Sequence, residues 1–235
     1  TAFQAVEYVT SQNFDRRAFS ALNCISVVPG ALGAWRRGAV LAAGGYSHDT
    51  LTEDADLTLT ILRAGGRVVY ESEAIARTEA PESLGAFLKQ RFRWTYGTYQ
   101  CLWKHKRAFG KGTLGCVGLP NIVLFQILFP TLSPIGDAVM LVSILRGDWR
   151  AFLAGYLAFL AMDMCASLLA FFLDKKPKWW LLMLIIQRFS YRQIMYYISL
   201  KAMVSALHGV RHGWRKLERQ GSVATGAPTR TGGAG

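Results

Sequence analysis

The sequence has little charge and few cysteines, and both shortages exclude classes of protein. Only 18% of its 235 residues are charged and 51% are apolar, so the chain is not disordered as a whole. The four cysteines, Cys24, Cys101, Cys116 and Cys165, contain no CxxC pair. This spacing argues against a disulfide framework and against a zinc site.

Acidic residues are also scarce, and the basic excess coexists with a high apolar content. The chain has 15 Asp and Glu against 27 Lys and Arg, a net charge of +12, and a mean hydropathy of +0.21. Soluble proteins that bind nucleic acid are seldom so apolar, so we expect a membrane protein with basic flanks and no nucleic-acid partner.

The beginning of the chain has no pattern typical of a signal peptide. The first twenty residues contain neither a basic region nor an apolar run, and the first residue is Thr1 rather than Met. We therefore interpret the chain as the carboxyl-terminal piece of a longer protein.

Charge and hydropathy divide the chain into four predicted regions. Residues 1–111 mix both signs of charge, which indicates a soluble part. Residues 112–200 are predicted to form a transmembrane helical region. Residues 201–220 form a basic segment near the membrane, and residues 221–235, rich in Gly, Thr and Ala, are predicted to be disordered.

Three apolar stretches, 113–145, 151–173 and 179–200, are each long enough to cross a bilayer, which takes about 20 residues. Prolines in the first stretch predict a kink, or a split into a surface segment and a span. In the third stretch, Arg188 and Arg192 lie one helical turn apart, where they would line a polar channel or bind lipid headgroups.

The basic flanks predict the membrane topology. The KHKRAFGK segment before the first stretch and the basic residues after the third both favour the cytosolic side. We therefore expect an even number of crossings and a cytosolic carboxyl terminus. One stretch is then re-entrant, interfacial or double, and the first and third are equal candidates.

The soluble part is predicted to be α/β. Residues 2–22 have helical apolar spacing, and the segment CISVVPGALGAWRR from Cys24 predicts a strand. LAAGGYSHDTL is a predicted loop, after which a helix begins near Glu53 and ends at Gly65. RVVYE predicts a second strand, and another helix runs from Pro81 or Ser83 towards Trp103.

Two short segments contain candidate catalytic and binding residues. Glu53 and Asp54 follow Thr52 at a helix start, where a carboxylate that is both oriented and accessible suits a general base; the alternative is helix capping with a solvated acid. In QRFRW, Arg93 offers a forked donor for phosphate oxygens and Trp94 a flat face for a sugar ring. The alternative is a helix with packed aromatic residues and solvated arginines.

Together, TED, QxxRW and the apolar stretches behind them resemble the processive, membrane-bound family 2 glycosyltransferases. That group includes cellulose, chitin, hyaluronan and poly-N-acetylglucosamine synthases. The segments VVPGALGAWRR, GGYSHDTLTEDADLTLTILRAGGRVVYE and QRFRWTYGTYQCLWKH are most similar to its bacterial N-acetylglucosaminyltransferase-type members. The resemblance covers residues 1–220 and implies the carboxyl-terminal half of a GT-A-type domain followed by a multi-span α-helical membrane region.

The resemblance also implies roles for individual residues. Asp54 matches the catalytic base, beside Glu53, and Gln90 matches the Gln of QxxRW. Arg93 would face the diphosphate leaving group and Trp94 would stack under the acceptor sugar.

Two further correspondences are weaker. Gly30 lies in the segment that resembles the strand lining the acceptor cleft, where a glycine allows close approach. Trp214 and Arg215 loosely resemble the gating segment that folds over the nucleotide, and a basic tail on the membrane surface is the alternative.

The family's donor-binding motif is missing from this sequence. Family members hold a divalent cation, Mg or Mn, and uridine diphosphate with aspartates that include a DxD motif, and none precedes Thr52. The D-x-D from Asp54 to Asp56 belongs to the predicted helix. We therefore expect the cation's ligands outside this chain, no metal site within it, and no activity from this fragment alone.

The predicted function is an inverting glycosyltransferase of the bacterial plasma (inner) membrane, multi-pass, with its catalytic part in the cytoplasm. It would polymerise a β-linked polysaccharide of N-acetylglucosamine from UDP-GlcNAc and translocate the polymer. Its partners would be the UDP-sugar donor, the growing polysaccharide and the lipid bilayer. One alternative is a non-processive enzyme that acts on a lipid or small acceptor, and another is a membrane transporter or scaffold without catalysis.

Overall fold

The computed structural model describes residues 2–74, 76, 78–81, 83–174 and 180–208. The α-helices in this part of the chain are α1 Ala2–Glu7, α2 Phe14–Ala21, α3 Arg37–Ala42, α4 Glu53–Arg63, α5 Leu84–Lys104, α6 Leu119–Asn121, α7 Phe129–Leu145, α8 Trp149–Leu173 and α9 Trp180–Leu207. Wider π-helical turns occupy Tyr8–Asn13, Leu114–Gly118 and Ile122–Leu128, and Lys106–Ala108 is a 3-10 turn.

The two helices predicted around the chemical motifs are confirmed. α4 begins at Glu53, and Gly65 ends it by taking a left-handed φ of 83°. α5 begins after Ser83, whose Oγ accepts a hydrogen bond from the backbone N–H of Ala86 at 3.1 Å. Residues at the helix ends were therefore sufficient to predict where both helices lie.

Both strand predictions are wrong: the described residues form no β-ladder. Along 66–71, exposure still alternates, with Val68 buried and Val69 exposed. The N–H groups of Val68 and Tyr70 donate to Asn23 Oδ1 and Ser20 Oγ, both at 2.9 Å. Side chains at the end of α2 thus take the place of a neighbouring strand, because a ladder needs a partner segment and the described chain supplies none.

Asn23 connects the end of α2 to this segment. It has a φ of 51°, and the N–H of Cys24 bonds back to Phe19 O at 2.9 Å, which closes the helix end. Its Nδ2 donates to Gly66 O at 3.1 Å while its Oδ1 accepts from Val68. The Asn23 side chain therefore both donates to and accepts from the backbone of residues 66 and 68, as the backbone of a neighbouring strand would.

The segment between the two motifs also differs from its prediction. α3 covers Arg37–Ala42, so the first two residues of the predicted loop LAAGGYSHDTL are helical. Just beyond the end of α3, Gly44 takes a left-handed φ of 83° and turns the chain into the loop.

The main apolar core joins the soluble part to the start of the first apolar stretch. Ile25, Leu59 and Leu102 pack in one cluster with Leu114 and Leu119. The boundary after residue 111 remains a prediction, but packing continues across it.

Two helices within the described chain are long and apolar enough to cross a membrane, Leu114–Leu145 and Leu153–Leu173. The first is an unbroken helical run, and its π-helical turns lie next to Pro120 and Pro130. The prolines widen this helix rather than end it. The side chains of Arg188 and Arg192 lie outside the described residues, as does the chain from residue 209.

Candidate active site

Asp54 lies in the first turn of α4 and its carboxylate is fixed by two backbone donors. Oδ2 accepts from the N–H of Gly30 at 3.0 Å, and Oδ1 accepts from the N–H of Ala55 at 2.8 Å. The contact with Gly30 does not require glycine, since an added Cβ would lie 3.8 Å from Oδ2, an ordinary separation. Gly30 thus contributes to Asp54 an N–H that any residue except proline would supply, and its expected role of allowing close approach of the acceptor stays a prediction.

The loop before α4 is held against α5. Thr52 makes no side-chain cap; its Oγ1 lies 3.4 Å from Cys101 Sγ. The N–H of Leu51 donates to Gln100 Oε1 at 2.8 Å. The TED loop is therefore positioned by the same helix that carries QRFRW.

Gly97 makes this close approach possible. A Cβ at position 97 would lie 2.6 Å from Thr52 Oγ1 and 2.9 Å from Thr52 N, distances that a real side chain could not keep. Sequence reasoning missed Gly97, although an isolated glycine inside a helical pattern is a signal of close packing.

The structure brings the predicted site residues into one cleft of about 2410 Å³. The residues that share it are Gly30, Glu53, Asp54, Gln90, Arg93 and Trp94. Gln90, Arg93 and Trp94 are spaced three and four residues apart, so they share one face of α5. Their individual roles remain predictions, as do those of Trp214 and Arg215, which lie outside the described residues.

Two residues of α2 that sequence reasoning did not select also line the cleft. Arg16 lines the cleft, and burial lowers the pKa of its guanidinium group against the opposing effects of Tyr70, Tyr8, Asp54 and Asp15. Asp15 is exposed to solvent, yet the surrounding wall desolvates it and raises its pKa to about 6. The cleft wall therefore carries a basic and an acidic side chain beyond those of the two motifs.

Asp56 faces away from the cleft and belongs to a buried network. Its Oδ1 lies 2.7 Å from His105 Nε2 and its Oδ2 accepts from Lys104 Nζ at 2.9 Å. Arg63 donates to His105 Nδ1 at 2.9 Å, and because guanidinium cannot accept, the proton of His105 lies on Nε2, where it donates to Asp56.

The charge state of Asp56 follows from this network. Burial would raise its pKa, but the hydrogen bonds from His105 and Lys104 outweigh that effect and lower it. Both oxygens of Asp56 are used within the protein. Asp54 and Asp56 both lie in the first turn of α4, which confirms that the D-x-D belongs to the predicted helix. In the described ranges, no three His, Cys, Asp or Glu side chains lie close enough together to hold a metal ion.

Comparisons with known proteins identify a family for the chain. The family model described as glycosyl transferase family group 2 matches residues 1–208. A probable glucomannan 4-beta-mannosyltransferase 7 of Oryza sativa subsp. japonica is 32% identical over 83 residues, 35% of this chain and 14% of the rice protein. A poly-beta-1,6-N-acetyl-D-glucosamine synthase of Staphylococcus aureus is 28% identical over 99 residues, 42% of this chain and 24% of that protein. The chain thus aligns with less than a quarter of either relative's length, and no solved structure gives a significant match.

Proposed function

The chain belongs to glycosyl transferase family group 2, and on that premise we propose that the intact protein extends a β-linked polysaccharide with inversion at the sugar carbon. The proposed donor is UDP-N-acetylglucosamine, a choice supported by the staphylococcal relative, which is named a poly-N-acetylglucosamine synthase. The observation that carries the proposal is the cleft shared by Asp54, Arg93 and Trp94.

In this mechanism Asp54 accepts the proton of the acceptor hydroxyl. The hydroxyl oxygen forms a bond to the anomeric carbon, and the bond from that carbon to the diphosphate breaks on the opposite face. Two backbone hydrogen bonds hold the Asp54 carboxylate in one orientation, as a general base requires. Arg93 and Arg16, both in the cleft wall, supply positive charge for the departing diphosphate.

Members of this family commonly use a divalent cation, which would add further charge at the diphosphate. The described residues do not fit such a site, because they supply no group of three ligands. We therefore propose that the cation's ligands lie outside the described residues, where the cation would assist the charge supplied by Arg93.

Packing supports the proposed topology of two crossings. At the start of the first candidate span, Leu114 packs in the core beside Leu102 of α5. At the end of α8, Asp174 pairs with Arg17 of α2 at 2.9 Å. Both ends of the segment from Leu114 to Asp174, which contains the two candidate spans, thus meet the catalytic part, and this favours an outward and a returning crossing.

α9 is then the stretch that does not cross. Its Ala202 packs against Leu51 and Tyr96, and Tyr99 donates to Ser199 O at 3.3 Å, so this end of α9 lies beside α5. A carboxyl terminus on the catalytic side agrees with this packing. The cleft also reaches Phe125 of the first candidate span, which supports a route for the polymer into the membrane.

The test is sugar transfer by the intact protein in lipid nanodiscs. Radiolabelled UDP-N-acetylglucosamine should give a long product that a β-specific N-acetylglucosaminidase degrades, whereas UDP-glucose and GDP-mannose should give little. A product one sugar longer than the acceptor would favour the non-processive alternative. No transfer from any nucleotide sugar would reject the proposal.

A further inference from the structure

Arg91 lies inside QRFRW but is not one of the residues matched to QxxRW, and it makes a buried ion pair with a residue far away in sequence. Its NH1 and NH2 donate to Oε1 and Oε2 of Glu7 at 2.6 and 2.5 Å. The side chains of Arg91 and Glu7 are only 5% and 17% exposed. Burying two charges is costly unless they are well paired, and this forked arrangement pairs them in parallel.

The same guanidinium group lies between two aromatic rings of α5. Its central carbon is 5.1 Å from the ring centroid of Phe87 and 4.9 Å from that of Trp94. Residues 87, 91 and 94 share one helix face, so Arg91 covers one face of the Trp94 ring. Trp94 is half-buried and also lines the cleft, so this packing orients a ring that borders the candidate site.

The residues around Glu7 are held by one candidate membrane helix, α8. Val6 and Val9, on either side of it, pack against Ala170 and Phe171 of α8 in a separate buried cluster. The position of the carboxylate, and through it that of Arg91, is therefore set by packing outside α5.

We infer that Glu7 and Arg91 are positioning residues that orient the Trp94 ring for stacking on an acceptor sugar. The inference rests on the proposed function, since the sugar acceptor is proposed there. Neither residue touches the reacting atoms in this scheme. Their effect should appear in acceptor binding rather than in donor binding.

The first measurement uses Glu7→Gln and Arg91→Gln in the intact protein. The probe is a β-linked N-acetylglucosamine pentasaccharide, with binding followed by calorimetry and elongation followed at saturating UDP-N-acetylglucosamine. Each variant should raise the Kd and KM for the pentasaccharide about 10-fold, within the range of a desolvated cation–π contact. The KM for the donor should change less than about 2-fold, because tight binding of the diphosphate is assigned to other residues.

A charge-reversed pair separates orientation of Trp94 from simple stabilisation. Glu7→Arg combined with Arg91→Glu restores the ion pair but places a carboxylate against the electron-rich face of the Trp94 ring. We expect the melting temperature to recover while the KM for the pentasaccharide stays raised.

Asp174→Asn is the matched control, since it breaks the Arg17–Asp174 ion pair, which has no member on α5. It should lower the melting temperature and leave the KM for the pentasaccharide unchanged. The inference would be overturned if Asp174→Asn raised the KM for the pentasaccharide equally, or if that KM recovered in the charge-reversed pair. Normal pentasaccharide binding by both Glu7→Gln and Arg91→Gln would also overturn it. A wild-type protein that neither binds nor elongates the pentasaccharide would instead refute the proposed function, on which the inference rests.

Discussion

Replacing Gly97 by alanine should separate the two motifs that form the site. Alanine is a better helix former than glycine by about 1 kcal/mol, which on its own would stabilise α5. At this position, however, the new Cβ would lie 2.6 Å from Thr52 Oγ1 and 2.9 Å from Thr52 N. Because one of these atoms is backbone, the TED loop must move, and overpacking of this kind costs about 1–3 kcal/mol.

Gly85 provides the matched control within the same helix. A Cβ at Gly85 meets nothing within 4 Å, so Gly85→Ala keeps the gain in helix propensity and adds no clash. The difference between the two variants therefore isolates the clash. For a chain of this size, 1 kcal/mol shifts the melting temperature by about 2–4 °C, so Gly97→Ala should melt about 2–12 °C below Gly85→Ala.

The assay is thermal unfolding in one detergent, followed by initial rates of sugar transfer by the intact protein. Gly97→Ala should also lose transfer activity, because Asp54 follows Thr52 by two residues and moves with the loop. Equal melting temperatures and equal rates for the two variants would refute the reasoning about close approach.

Three further predictions concern stability. Asp56→Asn removes a charged partner from the buried network and should destabilise the protein by about 3 kcal/mol at pH 7. Asp49→Asn, which removes the exposed partner of Lys104, should cost far less. Because the pKa of Asp56 is lowered in the folded protein, the difference between the two variants in thermal unfolding should shrink as the pH falls below about 4. The pKa of Asp15 is raised to about 6, so its ionised form opposes folding, and Asp15→Asn should raise the melting temperature at pH 7 and leave it unchanged at pH ~3, below the pKa of an unfolded aspartate. Asn23→Gly should lose two hydrogen bonds, and Asn23→Ala should be about 1 kcal/mol worse in denaturant titrations because of its left-handed φ; equal losses would contradict the role of backbone conformation.

The sequence predicted α4 and α5 well because their end signals are local. Acidic residues after Thr52, Gly65 past the last turn and Ser83 before α5 each act within one helical turn. The strands failed for the opposite reason. Alternation along 66–71 is visible in the sequence, but a ladder depends on a partner segment. Here the side chains of Ser20, in α2, and Asn23, just after it, accept hydrogen bonds from those backbone groups instead.

The site was predictable to the extent that it is written in short motifs. Asp54 and Trp94 were identified from TED and QxxRW, and the structure places both in one cleft. The pairing of Glu7 with Arg91 spans 84 residues, and no periodicity or spacing in the sequence indicates it. Contacts of that kind become visible only once the helices are packed.

The most direct test of the account is the activity of Asp54→Asn in the intact protein. Asparagine has nearly the same shape but cannot accept the acceptor's proton, so turnover should fall at least ~100-fold. Binding of UDP, measured by calorimetry, should stay close to wild type, and Glu53→Gln should be milder. Near-normal turnover by Asp54→Asn would contradict the assignment of the catalytic base.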